Sequence, residues 1–347
     1  MPDPGLAERL RQRAAELRLG PIGFARVGPS DHADALRRWL QEGRGAGMTW
    51  WMERTAKDSV DLTRRFPWAR TAIVVAQPHL PYRGDRRAQE GLVPFVARYA
   101  LGEDYHATLL ARLEALEAFL KQEAPGVVSR AYVDTGPILE RELAARAGLG
   151  WFGKNANLIR EGGPSWLLLG EILTSLDLEP GPPVGDRCGT CTACIDDCPT
   201  EAILEPYVVD SNRCISYLTI ELKDRLPEGD AARLGDWVFG CDVCQEVCPW
   251  NVKADPVDDP AFLPGNGLRG TGLADLLRMD QRAFDARFAG TPFERPGRRG
   301  VLRSALAVAV NTGDDEALGA ASDLRDDADP VVREAATEAI RRTRDSG

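Results

Sequence analysis

The chain has 347 residues, with 43 Lys and Arg against 53 Asp and Glu and a formal charge of −10. A hydrophobic content of 44% with 28% charged residues excludes a disordered or collagen-like chain, and the length allows roughly two to three domains. No apolar stretch approaches the ~20 residues of a membrane span. Met1 to Leu10 carry acidic side chains and no apolar core, so no membrane partner and no export signal are expected, and the cytoplasm is the expected location.

Residues 4–18 place Leu6, Leu10, Ala14 and Leu17 at helical spacing, and 22–27 and 71–76 read as short strands. Asp104–Gln122 predicts a helix whose leucines share one broad face, closed by Pro125-Gly126. Val127–Val133 returns as a strand. Pro137 then stands where a first helical residue belongs, with helix over Ile138–Ala147. Asn157–Ile159 and Trp166–Leu173 read as a further strand pair. This alternation predicts an α/β domain over residues 1–180, followed by the linker Leu178–Gly185. Residues 181–255 hold every cysteine, and 256–347 turn Ala/Leu/Arg-rich and helical. There RSALAVAV from Arg303 and REAATEAI from Arg333 resemble each other, as in HEAT-like helical repeats.

Charge is uneven. From Asp314 onward there are ten acidic and five basic residues, while Arg278 to Arg303 holds seven arginines and three acids. A basic island on an acidic chain suits one specific polyanion better than indiscriminate nucleic-acid binding.

The cysteines carry the most specific signal. Cys188, Cys191, Cys194 and Cys198-Pro199 form CxxCxxCxxxCP; Cys214 stands alone; Cys241, Cys244 and Cys248-Pro249 form CxxCxxxCP. Eight thiolates so spaced match two 4Fe–4S clusters of the bacterial ferredoxin kind, in which the last cysteine of each run ligates the other cluster. On that rule one cluster takes Cys188, Cys191, Cys194 and Cys248, and the other takes Cys198, Cys214, Cys241 and Cys244. Disulfides would need an oxidising compartment, and structural zinc uses four-ligand groups separated by longer loops.

Three further segments stand out: Val133-Asp134-Thr135-Gly136-Pro137-Ile138-Leu139-Glu140-Arg141, Gly150-Trp151-Phe152-Gly153-Lys154-Asn155 and Asp104-Tyr105-His106. With Gly170-Glu171 and the cysteine order, they closely resemble epoxyqueuosine reductase, over nearly the whole chain. That resemblance implies an N-terminal cobalamin-binding domain, a two-cluster ferredoxin-like domain, a helical-repeat C-terminus and a relation to reductive dehalogenases. It also implies reduction of epoxyqueuosine to queuosine at the wobble position of tRNA, the last step of queuosine biosynthesis. The partners implied are a tRNA anticodon loop and an unidentified reductant, and a monomer is expected.

By the same resemblance Asp134 is the general acid and a cobalamin contact, and Tyr105 and His106 line the substrate pocket. Cobalamin is expected near Ala97, Lys154, Asn155, Leu158, Leu169, Ser216 and Asp242. Where the family tends to place an arginine near residue 59 this chain has none, and Lys57 is the substitute. Gln281, Arg282, Phe293, Arg295 and Arg298 match the tRNA-contacting region, with Arg299 and Arg303 beside them. Phe293 and Trp250 offer stacking surface for splayed bases.

Other readings compete. Asp134 stands where an N-cap belongs, and capping would lower its pKa, the wrong direction for an acid near neutrality. The arginines could be a solvated charged loop. A reductive dehalogenase would not need the arginine island. A ferredoxin-type electron carrier would leave about 180 N-terminal residues unexplained.

Overall fold

The structure is a computed structural model and describes residues 5–252 and 254–345. Residue 4, where the first helix was expected to begin, lies outside the described residues. The N-terminal part runs α1 (Leu6–Glu16), β1 (Ile22–Arg26), α2 (Ala33–Gln41), α3 (Thr49–Ser59), β2 (Thr71–Pro78), α4 (Tyr105–Glu123), β3 (Ser129–Tyr132) and α5 (Glu140–Arg146). The short strands β4 (Trp151–Phe152) and β5 (Leu158–Ile159) and the long strand β6 (Leu167–Thr174) complete it.

The sheet has the order β1-β2-β6-β3 and every pairing in it is antiparallel. The expected pairing of Asn157–Ile159 with Trp166–Leu173 does not form. Leu158–Ile159 pairs with Trp151–Phe152 instead, and Leu167–Thr174 lies in the sheet centre. Both stretches are apolar, and periodicity cannot say which strand an apolar run will join.

Strand alternation decides the layers. Ile73, Val75, Leu168 and Ile172 face α1 and α4, where Leu109, Leu113, Leu116 and Leu120 are fully buried. Each such leucine stabilises by roughly 1.5–3 kcal/mol. Ala72, Val74, Leu169 and Leu173 face the other way, under Leu143, Ala144 and Ala147 of α5 and the following turn.

The cysteine region carries α6 (Ala193–Asp196), β7 (Ile203–Glu205), β8 (Val208–Val209), α7 (Ile215–Ile220), α8 (Asp230–Arg233) and α9 (Val243–Glu246). Helices follow: α10 (Asn266–Arg269), α11 (Leu273–Leu277), α12 (Gln281–Phe288), α13 (Gly297–Thr312), α14 (Asp315–Ala321) and α15 (Pro330–Asp345). RSALAVAV falls in α13 and REAATEAI in α15. α13 is buried almost all round, as its apolar run requires. Its core is shared with Leu92, Val96 and Leu101 from the N-terminal part and with Val238 and Phe239, so the C-terminal helices close onto the rest of the molecule.

Candidate active site beside two cysteine groups

Asp104 caps α4, accepting the His106 N–H at 2.9 Å, and its Oδ1 also meets His106 Nδ1 at 2.7 Å. That leaves His106 Nε2 directed at Asp134 Oδ2, 3.2 Å away, where the Tyr105 hydroxyl also donates at 3.2 Å. Tyr105 and His106 are stacked, with centroids 4.1 Å apart. Local helix-capping chemistry therefore aims a histidine and a tyrosine at one carboxylate oxygen.

Asp134 is not an N-cap. α5 begins only at Glu140, behind Leu139, and no side chain caps it. Asp134 instead sits at φ +54, and the Thr135 N–H reaches back to the Val133 carbonyl oxygen at 2.5 Å. An i→i+2 bond around a positive φ is the strained form of γ-turn, which persists only where its surroundings hold it. The hold is visible: the Asp134 N–H donates to Glu140 Oε1 at 2.6 Å. Gly136 is required beside it, because a Cβ there would meet the Tyr132 ring at 2.8 Å.

The Asp134 side chain is 58% exposed. The hydrogen bond from His106 chiefly holds its pKa below the usual carboxylate range, against the upward push of desolvation, and the same bond raises His106. Both directions place the proton of this group on His106, hydrogen-bonded to an ionised Asp134. Arg295 lies close enough to feel the charge of Asp134 while pairing with Glu221.

The eight thiols form two groups, and among the described residues no three or more His, Cys, Asp or Glu surround a single-ion position. Cys194 is pushed up to about 11 by burial and then by Cys248, Cys188 and Cys191. Cys248 feels Cys188 and Cys191. Burial also raises Cys241, with Cys244 and Cys214 adding to it, and Cys214 has Cys198 beside it. Cys244 faces Cys214 and Cys198 but also Cys194, so the two groups adjoin. Thiols raised this way release protons when they take up metal.

The turn after β4 straps both groups. Lys154 Nζ donates to the carbonyl oxygens of Gly189 and Cys191 at 2.7 and 2.9 Å. Asn155 donates to the Cys244 carbonyl oxygen at 3.1 Å, and Asn157 Nδ2 lies 3.8 Å from Cys244 Sγ. The side chains of Lys154 and Asn155 are thereby committed to cysteine loops. Asp242 is likewise consumed, accepting the Arg98 backbone N–H at 2.8 Å and Nη1 at 3.2 Å. Ala97, Leu158 and Leu169 are buried in apolar clusters, Ser216 is half-buried on α7, and Lys57 is exposed on α3. α3 buries none of its residues and exposes Trp50 and Trp51, and just before it Gly47 N–H donates to the Tyr217 hydroxyl.

The expected tRNA residues divide. Gln281, Arg282, Arg295 and Arg299 are exposed. Phe293 is not a stacking platform: it is fully buried between the rings of Phe239 and Phe288, at 4.7 and 4.6 Å. Trp250 packs on Trp151. Arg303 is buried too, donating to the carbonyl oxygens of Leu222, Asp224 and Leu218. Arg298 is buried on Asp327. An arginine count cannot separate forks facing solvent from forks turned inward to carbonyls. Sequence reasoning also passed over Asp104, Glu140 and Glu171 as functional residues, although all three lie in the segments that carry the resemblance.

A family model described as epoxyqueuosine reductase QueG, DUF1730, matches residues 60–135, and one described as a 4Fe-4S double cluster binding domain matches 187–251. Epoxyqueuosine reductase of Synechocystis sp. is 41% identical over 279 residues, 79% of this chain and 95% of its own. The chain belongs to the epoxyqueuosine reductase family. Two solved epoxyqueuosine reductases extend the likeness over 97% of this chain and 90% of theirs. One, with a tRNA-Tyr epoxyqueuosine-modified stem loop, gives a TM-score of 0.89 at 30% identity. The other, from Bacillus subtilis with its catalytic aspartate loop swung out of the active site, gives 0.87 at 29%.

Proposed function

We propose that this chain works as its family does, reducing epoxyqueuosine in tRNA to queuosine. The observation that carries the reading is one carboxylate, Asp134, met by Tyr105 and His106 in a chain whose eight thiols stand in two adjoining groups. Removing an epoxide oxygen to leave an alkene takes two electrons and two protons and releases water. The proton carried by His106 would reach the departing oxygen through its contact with Asp134, with Asp104 orienting the imidazole. The turn that carries Asp134 would be this chain's counterpart of the catalytic loop of the Bacillus subtilis relative.

Cys188, Cys191, Cys194 and Cys248 would hold one 4Fe–4S cluster, and Cys198, Cys214, Cys241 and Cys244 the other. Cobalamin is the further cofactor in this reading. The exposed rings of Trp50 and Trp51 on α3, beside the Gly47–Tyr217 contact, would cover one side of a broad ligand, with Lys57 on the same helix and Ser216 next to Tyr217 in the chain. Ala97, Lys154, Asn155, Leu158, Leu169 and Asp242 would meet it through backbone or apolar atoms, since their polar groups are engaged elsewhere. Bound, a corrinoid supplies low-valent cobalt able to reduce carbon, fed by one-electron clusters.

Arg295 ties the substrate surface to Asp134, and Gln281, Arg282 and Arg299 extend it toward phosphates of an anticodon loop. The domains proposed are 1–180, 181–255 and 256–347, the last with α13 and α15 as a HEAT-like pair, in a monomeric cytoplasmic protein served by a separate reductant. Among the described residues no helix is long and apolar enough to cross a membrane.

The test is mass spectrometry of nucleosides from epoxyqueuosine-containing tRNA incubated with reduced, cluster-loaded and corrinoid-loaded protein. Queuosine should appear; its absence with both cofactors demonstrably bound would overturn the reading.

A further inference from the structure

Two carboxylic acids lie beneath the Asp134 turn. Glu171 is on β6, where alternation sets it between Leu169 and Leu173 on the face covered by α5. Its side chain has no solvent exposure, no N–H or O–H donor reaches either carboxylate oxygen, and the Glu140 carboxyl lies within hydrogen-bonding reach once one of the two is protonated. Glu140, the first residue of α5, holds the Asp134 N–H. Burial, then the charges of Glu140 and Asp134, raise Glu171 well above the carboxylate range. Burial and Asp134 push Glu140 up to about 8.

The other charged or titratable groups around the pair are Asp134 from the turn, His106 and Tyr105 from α4, and Arg141 from α5. Across the strands Glu171 is flanked by Val74 of β2 and Tyr132 of β3. None of these donates to Glu171, so an ionised carboxylate there would be uncompensated.

We propose that Glu140 and Glu171 act as one proton-sharing pair that seats the catalytic turn, and that losing the shared proton releases it. With the proton present, Glu140 stays under the turn and fixes the Asp134 N–H. Without it, two adjacent carboxylates in a dry site repel, and Glu140 is the one free to leave because Glu171 is locked in the sheet. The positive-φ turn then loses the contact that offsets its strain. Glu140 and Glu171 are positioning residues in this scheme. The seat is a backbone property and needs no assumption about chemistry; only its effect on turnover rests on reading Asp134 as the acid.

The test is amide hydrogen exchange of the peptide spanning residues 132–140 in full-length, cluster-loaded protein, from pH 6.5 to 9.5 and corrected for intrinsic rates. Wild type should lose protection above about pH 8, about tenfold per pH unit while one proton is released. Glu171→Gln should remove the transition, because a lone Glu140 carboxylate still accepts the Asp134 N–H. Glu140→Gln should remove it as well, since the amide oxygen accepts the same bond and cannot ionise; it keeps the question answerable if Glu171→Gln fails to fold. Single turnover on epoxyqueuosine tRNA should show an alkaline limb that moves with the exchange transition. Protection independent of pH in wild type, or a transition unchanged in both variants, would overturn the proposal. An exchange transition with no matching limb in turnover would uphold the seat and count against Asp134 as the acid.

Discussion

Arg98 and Asp242 are joined twice, through the Arg98 backbone N–H at 2.8 Å and its guanidinium at 3.2 Å, with both side chains nearly inaccessible. Glu246 accepts from the same guanidinium at 2.6 Å and also lies near Arg86, which pairs with Asp236 and stacks on Trp237. This ladder binds the segment before α4 to the loop between Cys241 and Cys248. Arg98→Met leaves Asp242 buried without its cation and should cost about 3–5 kcal/mol. Urea denaturation of the cluster-loaded protein measures it, and a loss below about 1 kcal/mol would show that the ladder is not a structural joint.

The inward and outward arginines should part company. Arg303→Met strands three carbonyl oxygens and should lower stability by about 3 kcal/mol or more. Arg282 is exposed and has no side-chain partner among the described residues. Arg282→Ala should leave stability within about 0.5 kcal/mol and flatten the salt dependence of stem-loop binding by about one unit of slope. Fluorescence anisotropy across a salt series reads the slope.

Asp134→Asn preserves the backbone donor to Glu140 but carries no exchangeable acid proton. Turnover should fall by about 10²- to 10⁴-fold with both clusters intact. Because the Asp134 hydrogen bond is the first cause of the raised His106 pKa, the imidazole titration followed by NMR should move downward in the variant. An unmoved titration would mean the contact does not form in solution.

Crosswise ligation has its own signature. Cys248→Ser and Cys191→Ser should damage the same cluster and give matching electron paramagnetic resonance spectra, although Cys248 lies in the other sequence run. Cys214→Ser should damage the second. Spectra pairing Cys248→Ser with Cys241→Ser would reverse the assignment.

Stability should fall with rising pH. Between its ordinary value and about 8, Glu140 keeps a proton in the folded chain that the unfolded chain has lost. Its contribution is therefore full below the ordinary carboxylate value and is lost as pH climbs to about 8, at up to about 1.4 kcal/mol per pH unit. His106, also raised, is lost in the same direction. Thermal melts from pH 7 to 9, above the range in which the depressed His79 makes stability rise with pH, should decline in wild type and run flatter in Glu140→Gln. Equal slopes would assign the dependence elsewhere.

What the sequence determined by itself is the part governed by local rules. Cysteine spacing names clusters because each sulfur's reach is set by a few bonds of neighbouring chain, and α4 is legible from its leucine face and the Pro125-Gly126 stop behind it. Tertiary structure alone decided the rest. Whether Leu158–Ile159 pairs forward or back, whether Phe293 and Arg303 face solvent or core, and whether Asp134 caps a helix or bends a γ-turn all depend on groups distant in the chain. Glu171 shows the difference most plainly. In sequence it is a charge interrupting an apolar run; in the fold it is a dry acid beneath a strained turn, because β6 occupies the sheet centre and α5 covers that face.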